Sequence, residues 1–118
     1  MSDTFTLASR DTVVGPLLEF TGALDSATAP EALTAIQGLT PRTGQLLVLH
    51  LAELRFCDSS GLTILLAAHR HALAADATMA WAAVPAHLVR LLALTGLADV
   101  FTCYPTIEAA RDAWTTAT

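Results

Sequence analysis

The residues best suited to chemistry in this chain are Asp58-Ser59-Ser60-Gly61-Leu62. An acid, two small hydroxyls and a glycine interrupt a greasy stretch here. Leu46–Leu49 and then Leu54–Cys57 lie upstream, and Leu62, Leu65 and Leu66 come after at helical spacing. That pattern predicts a buried strand handing over to a helix. A serine in the first turn of a helix keeps its hydroxyl exposed, among backbone N–H groups that no helical carbonyl satisfies. Such a position can accept, display and sense a phosphate. Ser59 is the expected acceptor. Ser60, in the same first turn, is the alternative.

Other chemistries fit these residues poorly. Ser59 lacks the G-x-S-x-G elbow of an α/β hydrolase, and none of the four histidines stands where sequence would pair it with that serine. His69 and His71 are two apart, so on a helix they point roughly 200° away from each other and cannot share a metal. Cys57 and Cys103 fall in separate elements without a C-x-x-C, and read as buried free thiols. The glycines form neither G-x-G-x-x-G nor a phosphate-binding P-loop. Six scattered arginines and no lysine give no basic stripe for nucleic acid. No enzyme activity, cofactor or metal is expected.

The elements that must position the serine can be traced along the chain. Phe5-Thr6-Leu7 and Val13–Phe20 predict two strands joined by a tight turn at Arg10-Asp11, hence a hairpin. Gly15-Pro16 interrupts the second run, which suggests an edge strand or a bulge. Gly22-Ala23-Leu24-Asp25 then leaves the sheet. Thr28 and Glu31 have the spacing of a capping box, with Pro30 in the first turn and Leu33, Ile36 and either Leu39 or Thr40 as the inner face of a first helix. Leu46–Leu49 predicts a strand covered on both faces.

The second helix begins near Ser59, with Leu62, Leu65, Leu66, His69 and Leu73 on one stripe. Ile64, Ala67 and His71 lie on its flank, open either to a partner or to another element. Met79–Val84 is a further strand, stopped by Pro85. A third helix carries Leu88, Leu91, Leu92 and Thr95, with Gly96 at its end. Val100–Tyr104 reads as a short strand, and Pro105 leads to a last helix with Ile107, Ala110 and Trp114 inward. Strands alternating with helices after a hairpin predict one α/β domain over residues 1–118, built on a mixed β-sheet.

Composition agrees with a single cytoplasmic domain. The 118 residues are 53% hydrophobic, rich in alanine, and only 14% charged, against about a quarter in typical domains. So few charges fit either an apolar docking surface or a compact alanine-rich fold. The net charge is −5. Met1-Ser2-Asp3-Thr4 lacks the basic and apolar regions of a signal peptide, and no apolar run is long enough to span a membrane.

Four segments together resemble one family. Gly22–Thr28, Leu49-His50-Leu51 with Phe56–Leu62, Leu91–Leu97 with Val100-Phe101, and Ile107–Ala110 are similar, in that order and spacing, to the bacterial anti-sigma factor antagonists of the STAS superfamily. The resemblance runs over nearly the whole chain. It departs from the usual pattern at Ala23, His50 and Thr63.

The resemblance implies a switch in binding. In that family the unphosphorylated antagonist binds an anti-sigma factor that is also a serine kinase, and so releases the sigma factor. The kinase phosphorylates the serine after the aspartate, which ends binding, and a PP2C-type phosphatase restores the antagonist. Carried over, Ser59 is the phosphoacceptor, and Asp25, Thr28, Asp58, Ser60 and Gly61 belong to the partner-binding site. Other relatives are accessory subunits of lipid or anion transporters, or modules of other sensory complexes. Those relatives often lack the serine that Ser59 represents here.

Overall fold

The computed structural model describes residues 5–117. Met1–Thr4, whose sequence lacks the features of a signal peptide, lies outside the described residues. Five strands form one mixed sheet in the order β1 (Thr6–Asp11), β2 (Pro16–Leu24), β3 (Leu46–Cys57), β4 (Thr78–Ala82) and β5 (Cys103–Tyr104). β1 pairs antiparallel with β2, and the remaining neighbours pair parallel. Helices α1 (Ala29–Gln37), α2 (Ser59–Ala74) and α3 (Ala86–Leu94) make the three crossovers, and α4 (Ile107–Ala117) closes the chain. This is the α/β architecture with an opening hairpin that the alternation of patterns predicts.

Alternation along the strands divides the apolar residues between two layers. Leu18, Phe20, Leu24, Leu47, Leu49 and Leu51 pack under α1, α2 and α3. Leu17, Leu46, Val48, Ala80 and Ala82 face Ala110, Ile107 and Trp114 of α4. Three helices on one face are the consequence of the uniform hand of parallel crossovers between adjacent strands. Fully burying a leucine such as Leu49 or Leu51 stabilises the fold by about 2 kcal/mol. In the larger layer Trp81 stacks on Phe101 at a centroid distance of 4.2 Å, and the rings of Phe101 and His69 stand perpendicular at 5.4 Å.

Several local expectations need correction. Arg10 and Asp11 end β1, and the turn is Thr12–Gly15. There the Thr12 hydroxyl donates to the Gly15 carbonyl, and Gly15 has φ +146° with no room for a Cβ against Leu46. β2 is interior, since Pro16 is merely its first residue, where a missing N–H is tolerated. β3 is far longer than its apolar run, and Val100–Thr102 stay outside β5, with Val100 closing a turn onto the Leu97 carbonyl.

The flank of α2 also resolves. Ile64 is 6% exposed and packed in the core, and His71 Nε2 donates to the Leu39 carbonyl at 2.7 Å, so that flank serves α1. Leu73, placed by periodicity on the inner stripe, is 58% exposed. Cys103 is exposed as well, because a two-residue edge strand has nothing outside it.

Candidate functional site

β2 and β3 are neighbouring parallel strands whose last registered pair is Leu24↔Cys57. Asp25 and Asp58 each come one residue after that pair. Adjacent strands lie about 4.8 Å apart, so the two acids emerge side by side at the carboxyl end of the sheet.

The two loops then diverge. Asp58 is the N-cap of α2, with extended backbone (φ −103°, ψ −167°), and its Oδ1 accepts the Gly61 N–H at 3.0 Å. Ser59 is therefore the first residue of the helix. It is exposed, while Ser60 is half-buried, and neither hydroxyl has a hydrogen-bond partner among the described residues. Gly61 is buried. A Cβ there would lie 2.4 Å from the Leu24 carbonyl oxygen and 2.8 Å from Cys57 Sγ. The glycine lets α2 start pressed against the end of β2, which sets the height of Ser59 above the sheet.

At α1 the capping box does not form. Thr28 is the N-cap, but its backbone is near-helical (φ −99°, ψ −13°) and its side chain makes no cap bond. Its hydroxyl instead donates back to the Ala23 carbonyl at 2.8 Å and accepts the Asp25 N–H at 3.0 Å. Asp25 Oδ1 accepts the N–H groups of Ala27 at 3.0 Å and Thr28 at 3.1 Å. The acid and the threonine thus close a compact turn on each other.

The three departures noted in the sequence all have local partners. His50 Nδ1 lies 3.5 Å from Glu19 Oε2, and these two residues are paired in register across β2 and β3. Ala23 supplies the carbonyl that holds Thr28. Thr63 donates from its hydroxyl to the Ser59 carbonyl at 3.0 Å, one turn above the serine.

Beneath the serine, Cys57 is free, and burial pushes its thiol up to about 12, helped by the negative charge of Asp58. It stays protonated and unreactive near neutral pH. Beside it Phe56, 49% exposed, sets an aromatic ring on the surface next to the acids. Sequence reasoning passed over Phe56 because a strand run rich in apolar residues gives no sign of which of them faces out. Among the described residues no group of histidine, cysteine or acidic side chains could hold a metal, and no helix is long and apolar enough to cross a membrane.

With this geometry in place, comparison with known proteins is decisive about family. Residues 6–110 match the STAS domain family. The chain belongs to it. No curated protein sequence matches the chain. Among solved structures, this STAS domain is similar to an anti-sigma factor antagonist from Mycobacterium paratuberculosis, at 29% identity and a TM-score of 0.78 over 97% of this chain and 93% of that one. It also resembles the Bacillus cell fate determinant SpoIIAA in its phosphorylated form, at 23% identity and a TM-score of 0.60 over 92% of this chain and 97% of that one. A sulfate transporter family protein from Wolinella succinogenes shares the fold at 14% identity and a TM-score of 0.71, over 85% and 84% of the two chains. At their identities the last two likenesses are of fold alone.

Proposed function

We propose that this STAS domain is an anti-anti-sigma factor whose binding is switched off by phosphorylation of Ser59. Unphosphorylated, it binds an anti-sigma factor that is also a serine kinase, and frees the sigma factor. Phosphorylated, it lets go, and a PP2C-type phosphatase returns it to the binding state. The domain itself catalyses nothing. It works as a single unit over residues 1–118 in the cytoplasm.

One observation carries the reading: Ser59 is the exposed first residue of α2, with an unengaged hydroxyl directly after the capping acid. A phosphate there gains from the free N–H groups of the helix start, so modification need not unfold the domain. It also adds about −1.5 to −2 charges beside Asp25 and Asp58. A partner fitted to a bare hydroxyl and two carboxylates meets a bulkier and more negative surface. Like charges pressed together in an interface cost several kcal/mol, enough to move a complex from bound to free.

The partner surface is formed by Asp25, Asp58, Ser59 and Ser60, with Phe56 at its margin. Thr28 and Gly61 act from beneath, one by its inward hydroxyl and the other by its missing side chain. The greater exposure of Ser59 favours it over Ser60 as acceptor. A transporter-bound accessory subunit would not need a displayed hydroxyl at this position, so Ser59 favours the switch over that role.

Intact mass after incubation with ATP and an anti-sigma factor serine kinase from the same genome tests the assignment. One added phosphate is expected, absent in Ser59→Ala, and binding to the kinase should weaken on phosphorylation. A phosphate that survives the substitution would move the acceptor to another residue, and no phosphate at all would overturn the switch.

A further inference from the structure

β3 outruns the strand beside it. Its last pairing with β4 is His50↔Ala82, so from Leu51 to Cys57 no β4 residue is registered with it. Over the same stretch its pairing with β2 slips twice. Between Glu19↔His50 and Thr21↔Glu53 the register shifts, and it shifts again between Gly22↔Leu54 and Ala23↔Phe56. At the second slip Arg55 is the extra residue, directly after the buried Leu54. Such a bulge bends its strand and re-aims the residues beyond it. Those residues are Phe56-Cys57-Asp58-Ser59.

A side chain from a third element meets this bulge. His87 stands in the first turn of α3, and its Nε2 lies 2.8 Å from the Leu54 carbonyl oxygen in a partly buried setting. A carbonyl can only accept, so the ring donates and carries a proton on Nε2. The imidazole thus brings a donor to β3 over the stretch where β4 has already ended. Without it the Leu54 carbonyl would lose a donor in a partly buried setting, beside the slip in register.

We propose that His87 is a positioning residue for the Ser59 site. It holds the bulge at Leu54-Arg55, and through it the angle at which β3 delivers Asp58 to the cap of α2. This rests on the reading of Ser59 as phosphoacceptor for its functional consequence, but the structural coupling stands on its own measurement. Neither the Asp58-Ser59 motif nor its immediate neighbours contain His87, which lies 28 residues beyond Ser59 along the chain.

Nitrogen-15 NMR of the wild-type ring and of the backbone amides tests the coupling. The ring should carry a proton on Nε2. His87→Leu should shift the amides of residues 54–62 and speed their hydrogen exchange, beyond any uniform change elsewhere. His87→Gln, which keeps a donor of similar reach, should restore them. Phosphorylation of Ser59 in His87→Leu should lose about fivefold in kcat/KM, mainly in kcat, and recover in His87→Gln.

A ring with no proton on Nε2, unmoved amides in His87→Leu, or a glutamine variant that behaves like leucine would each overturn the proposal. If the kinase leaves wild-type Ser59 bare, the switch fails, while the amide shifts still decide the role of His87.

Discussion

The starts of α1 and α2 use nearly the same residue types at the same end of the sheet, to opposite ends. Each comes after one member of the pair Leu24↔Cys57, each begins with an aspartate directly followed by a serine, and each has a second hydroxyl within three residues. At α1 the threonine hydroxyl is consumed: Thr28 is tied to Ala23 and Asp25, and Asp25 to Ala27 and Thr28. The exposed Ser26 lies in the turn before the helix rather than in its first turn. At α2 the aspartate alone caps the helix, through Gly61, and the Ser59 hydroxyl is left over. The deciding difference is where the acid stands. At the N-cap it satisfies the helix directly, whereas three residues earlier it folds the chain into a turn that needs the threonine to close. One start is a latch and the other a display.

The largest effect should come from removing the space on which the display depends. Gly61→Ala places a Cβ against the Leu24 carbonyl and the Cys57 sulfur, and a carbonyl in a paired strand cannot yield cheaply. We expect a loss of about 3 kcal/mol in urea denaturation, against almost none for Ser60→Ala in the same turn. Equal effects of the two would mean that α2 does not rest on β2. The latch should come next. Thr28→Val keeps the shape but strands the Ala23 carbonyl and the Asp25 N–H, costing about 2 kcal/mol. Asp58→Ala should cost about 1 kcal/mol as a lost cap, with Asp58→Asn close to wild type. A Thr28→Val variant as stable as wild type would erase the contrast between latch and display.

Legibility in the sequence divides along the same line. The α2 start was readable because an N-cap aspartate before a leucine stripe obeys local rules. The alternation of elements, the STAS resemblance and the inner face of α4 were readable for the same reason. The α1 start misled because Thr28 and Glu31 have capping-box spacing, while the hydroxyl that decides the matter reaches back five residues to Ala23. The β3 bulges, the bond from His87 and the burial of Ile64 depend on elements distant in sequence, and no window of neighbouring residues contains them. The short β5 belongs with these: Val100 and Phe101 have strand-forming side chains, but the turn onto Leu97 takes their backbone out of the sheet.

The registered pair below the two starts is itself unequal, leucine under the latch and cysteine under the display. Burial and the neighbouring Asp58 raise the Cys57 thiol from its ordinary value of 9.0 to about 12. Above pH 9 the unfolded chain releases a proton that the folded chain retains, so stability should fall as pH rises from 9 toward 12. Cys57→Ala should lack that part of the slope in denaturation curves taken across this range. Partial burial raises the Cys103 thiol as well, but it is exposed, so at neutral pH a thiol reagent should label Cys103 of the native protein slowly and Cys57 only after denaturation. Rapid labelling of Cys57 in the native state would mean that the start of α2 opens readily, and the display would then be mobile.

The smallest effect is expected one turn above the serine. Thr63 donates its hydroxyl to the Ser59 carbonyl, an exposed bond within the helix that adds to the backbone pattern without replacing any of it. Such back-bonding is nearly neutral for a helix, so Thr63→Ala should change stability by less than about 0.5 kcal/mol. For the proposed switch its use would lie in geometry. The side chain lies on the same exposed flank as Ser59, where the kinase proposed above would also pass over it. Thr63→Ala should therefore leave the denaturation midpoint in place while altering KM for Ser59 phosphorylation about twofold, with kcat unchanged. A variant that lowers kcat and stability together would instead make Thr63 part of the helix start, and the display would need two turns of α2 rather than one.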